Sequence, residues 1–313
     1  MQLKKAKSMN DQATTLRNLA VPETVNGSVP LALAQMNAAV GNGAHRTRTL
    51  AITGGKGGVG KSNVAVNLAL ELGALGWRVS LFDADLALAN TDMLLGVNPQ
   101  YHLGHVLTGE RSLEEVIIET TNGVRLIPGG SGVEELANLS LAQQQQLIAE
   151  LSAMEAASDF MIIDTAAGIG HNVTSVLRAA AEVIVVTTPD PTAVVDAYAT
   201  IKVLHRYCPA KPVWVLVNNA VGFGDAEEIF GQIHSAAERF LQHPLEYIGT
   251  IPRDEELAEA VRRQIPVVNY APQAPASRSF RLIAKQLDQA RRCSVGSAGP
   301  SASFWQLLSE PAN

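Results

Sequence analysis

At 313 residues, with 47% hydrophobic and 17% charged side chains, the chain has globular composition and enough length to bury a large core in one or two domains, which excludes disorder over most of it. Its 24 lysines and arginines against 30 aspartates and glutamates leave a net charge of −6, so specific nucleic-acid binding is not expected. Cys208 and Cys293 stand far apart without CxxC spacing, which excludes a disulfide framework, a zinc finger and a cysteine-held iron-sulfur site from one chain.

In chain order, residues 1–20 open with lysines but no apolar stretch behind them, and no apolar run anywhere reaches membrane-spanning length, so a cytoplasmic protein is expected. Within "MNDQATTLRNLA", Asn10 or Asp11 can cap a short helix with Ala13, Leu16 and Leu19 or Ala20 on one face. Such a helix is too short to be stable alone and is expected to order on a partner. Residues 21–46 mix Pro, Gly, Asn and Ser without a sustained period, as a flexible linker does.

From residue 47 to about 290 short apolar runs alternate with helical patterns. "RTLAIT", "RVSLFD", "VRLIP", "DFMIID", "EVIVVTT", "PVWVLVN" and "LEYIGTIP" are the expected strands. Most are apolar at consecutive positions, so both faces are buried. Helices are expected at 61–75, 140–157, 172–181, 192–207, 225–242 and 254–263. This alternation predicts an α/β domain with a doubly wound, mostly parallel sheet. In the tail, 291–313, "SFWQLLSE" puts Phe304, Trp305 and Leu308 on one helix face, and two readings stay open: a short amphipathic membrane contact, or docking back onto the domain.

Gly55 to Ser62 reads G-K-G-G-V-G-K-S, the phosphate-binding pattern G-x-x-x-x-G-K-[ST] in its required place between a strand and a helix. Gly55, Gly57, Gly58, Val59 and Gly60 turn backbone N–H groups toward phosphate oxygens, and Asn63 follows in the first helical turn. Lys61 is expected to reach the β- and γ-phosphates and Ser62 to ligate Mg²⁺. Asp83 and Asp85 leave the second strand, and Asp164 ends the strand "FMIID"; carboxylates at this edge can hold a metal or aim a water.

Lys56 is not required by that pattern, and with it the loop resembles the deviant Walker A signature, KGGxGK[ST], of the MinD/ParA family of P-loop ATPases. The resemblance implies slow, partner- or lipid-stimulated ATP hydrolysis with Mg²⁺ and an ATP-bound homodimer, in which Lys56 reaches the phosphates held by the partner subunit. It further implies that Asp85 orients the attacking water, Asp83 is an outer magnesium group, and Asp164 is the Walker B-type metal carboxylate. Residues 164–170 would be switch II, with Gly168 near the γ-phosphate, although Ala166 stands where MinD usually has proline. Asp190 would contact the partner's ribose, Asn218 the adenine edge, and Pro252 to Asp254 would line the base pocket; no N-K-x-D guanine motif occurs.

The amino-terminal element is similar to the DQAxxLR segment of the flagellum-number-regulating branch of that family, FlhG or FleN, with Asp11, Gln12, Ala13, Leu16 and Arg17 in register. This implies docking on an FlhF-type GTPase, with flagellar switch (C-ring) proteins and a flagellar transcription regulator as further partners. The tail resembles the short membrane-contact helix of MinD and FlhG, but without lysine or arginine on its polar face. Control of flagellar number and placement is the leading expectation. Division-site placement or DNA partition, and sequestration of a transcription factor without significant turnover, are the alternatives.

Overall fold

The apolar runs become strands β1 (Arg48–Thr53), β2 (Val79–Ala84), β4 (Val124–Ile127), β5 (Phe160–Thr165), β6 (Glu182–Thr187), β7 (Val213–Ala220) and β8 (Glu246–Pro252), joined by a two-residue β3 (Ile118–Glu119). The computed structural model describes residues 46–85, 90–130, 141–294 and 302–309; the expected partner element, with Asp11, Gln12, Ala13, Leu16 and Arg17, and the linker at 21–46 lie outside the described residues apart from Arg46. One sheet has the order β3-β4-β2-β5-β1-β6-β7-β8 and is parallel throughout except where β3 meets β4. This is the doubly wound, mostly parallel sheet that the alternating pattern predicts.

The helices are α1 (Lys61–Ala74), α2 (Thr91–Leu95), α3 (Leu103–Leu107), α4 (Leu113–Val116), α5 (Leu141–Ala156), α6 (His171–Ala179), α7 (Pro191–Tyr207), α8 (Phe223–Leu241), α9 (Glu255–Arg262), α10 (Val267–Tyr270), α11 (Pro275–Ser294) and α12 (Phe304–Ser309). Successive strand residues point to opposite faces, so each face of the sheet has its own core. Leu50 and Ile52 of β1 pack with α1 and α11 residues such as Leu68, Phe280 and Ile283, whereas Ala51 lies on the other side with Phe82, Leu151, Val176 and Ile201.

Several elements were not expected, among them β3 and the short helices α2, α3, α4 and α10, and the longest of them is α11. Helix α11 is absent from the predicted set and runs past the expected domain end at 290. It carries an apolar stripe, Phe280, Ile283, Ala284 and Leu287, among many charges, and the stripe is wholly buried. Polar ties fix it as well: Arg281 to Glu71 at 3.4 Å, Trp77 Nε1 to Asp288 at 3.1 Å, and Arg48 to the Leu287 carbonyl at 2.7 Å.

Of the two readings left open for the tail, the structure has the second, docking back onto the domain. Phe304 and Trp305 are each 2% exposed and so present no apolar face to lipid; Leu308 is half-buried against the same core. Trp305 lies 4.8 Å from the Phe82 ring and Phe304 6.4 Å from it. Glu155 accepts from the Phe304 N–H at 3.1 and 3.0 Å, and the Ser152 and Ser303 hydroxyls meet at 2.6 Å. Burial pushes the Glu155 carboxyl up, while the Phe304 and Trp305 N–H groups favour its charged form. A six-residue helix without basic residues has little to hold it at a membrane, and two aromatic rings bury more apolar area in the core. Among the described residues, no helix is long and apolar enough to cross a membrane.

Candidate active site

The phosphate loop, residues 54–60, leaves the central strand β1 and enters α1. Gly60 stands at the α1 N-cap with φ 92°, and a Cβ there would lie 2.3 Å from Asn218 Nδ2; at Gly55 it would lie 2.3 Å from the Asp196 carbonyl oxygen on α7. Any other side chain would therefore displace the loop. Val59 is 3% exposed and accepts from Asn218 Nδ2 at 2.8 Å, which pins the crest of the loop to β7. Gly60 brings no capping side chain, so the first N–H groups of α1 are left for an anion.

Sheet register brings the carboxylates together. Asp164 on β5 pairs with Ile52 on β1 and with Asp83 on β2, all at the carboxyl edge beside the start of α1. Asp164 is 1% exposed, and neither of its oxygens has a hydrogen-bond partner of good geometry among the described residues. Burial pushes its carboxyl up to about 7; the Ser62 hydroxyl and Lys61 favour the charged form, and Asp83 and Asp85 oppose it. Lys61 is buried beside them: desolvation lowers its proton affinity, and Asp164 and Asp85 raise it.

An orphaned buried carboxylate next to a serine hydroxyl offers hard oxygen donors that fit Mg²⁺, and the buried ammonium beside them fits phosphate. Asp83 has a different task from that donor set. It accepts from the Asp85 N–H at 3.1 Å, the Thr91 N–H at 3.3 Å and the Thr91 hydroxyl at 2.5 Å. Its carboxylate thus braces the turn that carries Asp85 and ties it to the start of α2.

Lys56, at the crest of the loop, folds back on its own chain. Its Nζ lies 3.0 Å from Asp190 Oδ2 and 2.7 Å from the Thr192 hydroxyl, with the pair about half exposed. Asp190 also caps α7, accepting from the Thr192 N–H at 2.8 Å and its hydroxyl at 2.7 Å. The Thr192 bonds, with Lys56, hold the Asp190 carboxyl below the usual carboxylate range. Gly168 has φ 93° and donates to the Gly54 carbonyl at 3.1 Å, so the expected switch II loop rests on the phosphate loop.

In the expected base pocket Pro252 is half-buried, but the carboxylate of Asp254 is fully used. One oxygen caps α9 through the Glu256 N–H and the other takes the Ala276 N–H of α11, both at 2.9 Å. Sequence reasoning missed Thr91, Thr192 and Thr53, whose hydroxyl is buried at the end of β1 without a partner among the described residues. Of these Thr192 was readable, since Asp-Pro-Thr before a helical run is a capping signature.

A ParA family profile, described as NUBPL iron-transfer P-loop NTPase, matches residues 45–288. The chain is 43% identical over 244 residues to the antiactivator FleN of Pseudomonas aeruginosa, covering 78% of this chain and 87% of that one. It is 36% identical over 239 residues to the flagellum site-determining protein YlxH of Helicobacter pylori, with 76% and 81% covered. Among solved structures it is similar to the septum site-determining protein MinD of Pyrococcus horikoshii complexed with Mg-ADP, at TM-score 0.61 and 29% identity, covering 78% of this chain and 97% of that one. The chain belongs to the ParA/MinD family of P-loop ATPases.

Proposed function

We propose that this chain is an ATP-controlled, dimerising switch that regulates the number and placement of flagella. The likeness to the antiactivator FleN, over a domain that carries both loop lysines, supports this reading above the others. ATP phosphates sit on the loop N–H groups and the α1 N-terminus, with Lys61 against the β- and γ-phosphoryl oxygens. Ser62 and Asp164 would hold Mg²⁺, which when bound would offset the charge that develops on those oxygens. Asp85, carried on the turn that Asp83 braces, aims the attacking water.

Lys56 leaves Asp190 and Thr192 and reaches the phosphates of a second copy, so ATP lies in the dimer interface and slow hydrolysis returns monomers. Asp85→Ala is expected to trap an ATP-bound dimer, whereas Lys56→Ala should bind ATP and stay monomeric. Size-exclusion chromatography with ATP tests this, and identical elution of the two variants would count against the switch.

The expected amino-terminal element makes an FlhF-type GTPase the proposed partner. A peptide of residues 1–22 should stimulate its GTP hydrolysis, and the Gln12→Ala peptide should not; a wild-type peptide without effect removes this partner. The word antiactivator supports a flagellar transcription regulator as a second partner, and C-ring proteins complete the proposed set. Contact with lipid through Phe304 and Trp305 would first require them to leave the core, so the proposed site of action is the cytoplasm.

A further inference from the structure

Resting on the reading that Asp85 aims the attacking water, we propose that Thr91 is a positioning residue for hydrolysis. Its hydroxyl fixes the Asp83 carboxylate and, through it, the turn that holds Asp85 in place. Register sets two buried carboxylates side by side at the carboxyl edge of the sheet, Asp83 on β2 and Asp164 on β5. Their hydrogen bonds divide the work between them. Asp83 Oδ1 accepts from the Asp85 N–H at 3.1 Å and Oδ2 accepts twice from Thr91, whereas neither oxygen of Asp164 has a partner of good geometry among the described residues.

Of the two ties from Thr91 the hydroxyl is the stronger. At 2.5 Å it has the length of a charge-assisted O–H···O⁻ bond, while the Thr91 N–H stands off at 3.3 Å, beyond the usual range. Thr91 is 1% exposed, so bulk water does not replace the hydroxyl if it is removed. Nor does α2 supply its own anchor, since its N-cap, Asn90, makes no side-chain capping bond.

Helix α2 is itself seated by Leu94, which packs in the core with α1 residues such as Leu68. Thr91 is therefore a fixed point from which Asp83 is gripped, and Asp83 in turn grips the Asp85 N–H. The Asp85 carboxylate is near enough to Lys61 and Asp164 to act on the charge of both. A group that aims a water in line must hold its place to within about 0.5 Å, and a misplacement of about 1 Å can lower the rate about 100-fold.

The test compares ATP turnover with ATP affinity in the full chain with Mg²⁺. Thr91→Val keeps the shape and loses the hydroxyl, so kcat should fall about tenfold while the Kd for ATP, set by the phosphate loop and Lys61, stays in place. Thr91→Ser, which restores the hydroxyl, should recover most of the rate. If valine prevents folding, Thr91→Ala gives the same comparison without a methyl group against the carboxylate. Thr47→Val is the control: it removes a buried hydroxyl that donates to the Glu155 and Ser158 carbonyls at 2.6 and 2.9 Å, beside the amino end of β1. It should lower the unfolding midpoint and leave kcat unchanged. A kcat for Thr91→Val within about twofold of wild type, a parallel loss of ATP affinity, or no recovery in Thr91→Ser overturns the assignment. Failure of the underlying reading looks different: Asp85→Ala would then hydrolyse ATP as fast as wild type.

Discussion

Replacing Trp305 with alanine is expected to lower the unfolding free energy by about 3 kcal/mol. The side chain is 2% exposed and packs 4.8 Å from Phe82 and 5.1 Å from Phe304, so its removal opens a cavity between α12 and the end of β2. The figure sits at the low end for a buried tryptophan because Trp305 Nε1 is buried without an acceptor among the described residues, a loss that alanine relieves. Trp305→Phe keeps most of the ring and discards the orphaned N–H, so it should fall within about 1 kcal/mol of wild type. Denaturant titration reads both. A lipid anchor would behave oppositely: Trp305→Ala would leave the midpoint in place and abolish binding to anionic vesicles. Phe82 immediately precedes Asp83, so the same cavity should loosen the turn that carries Asp85.

Asp164→Asn is expected to reduce ATP hydrolysis by at least about 100-fold while removing a pH dependence of the ligand-free fold. In the folded chain the Asp164 carboxyl titrates at about 7, above its ordinary 3.8, because it is buried without a full hydrogen-bond partner. The folded state therefore holds this proton more tightly than the unfolded state does. The contribution of this group to stability is greatest below about pH 4, falls as the pH climbs toward 7, and levels off above it.

Between pH 6 and pH 8 the fall from this one group amounts to about 1.4 kcal/mol, or roughly 3–6 °C in the unfolding midpoint. Asparagine does not titrate, so the difference between the wild-type chain and Asp164→Asn isolates the effect from other buried acids, such as Asp83 and Glu155. Mg²⁺ competes with the proton, so its affinity should weaken as the pH falls below about 7, by up to tenfold per unit. A wild-type chain whose midpoint moves with pH no more than the variant's would show that Asp164 is already ionised in the fold, and the buried charge would need another account.

Local features could be read from the chain before any fold was known. The phosphate loop is one contiguous string whose glycines, lysine and serine act within a single strand-turn-helix, so its place and chemistry were legible in the residues alone. The strands were legible because runs such as Leu50-Ala51-Ile52 are apolar on consecutive positions, which only a sheet covered on both faces requires. The capping of α7 by Asp190 is equally local.

Contacts between distant segments had to wait for the folded chain. Lys56 meets Thr192 across 136 positions, and Asn218 meets Val59 across 159. No pattern in either segment names the other. Asp83 and Asp254 read as site carboxylates, but their oxygens were free or committed according to whether Thr91 and Ala276 came within reach. Helix α11 was hidden because its buried stripe is diluted by charges whose partners, Glu71 among them, lie far back in the chain. The tail carried two destinations in six residues, lipid or core. An apolar face is drawn to whatever non-aqueous surface is nearest, and that surface here, the side of Phe82, exists only once the sheet has formed.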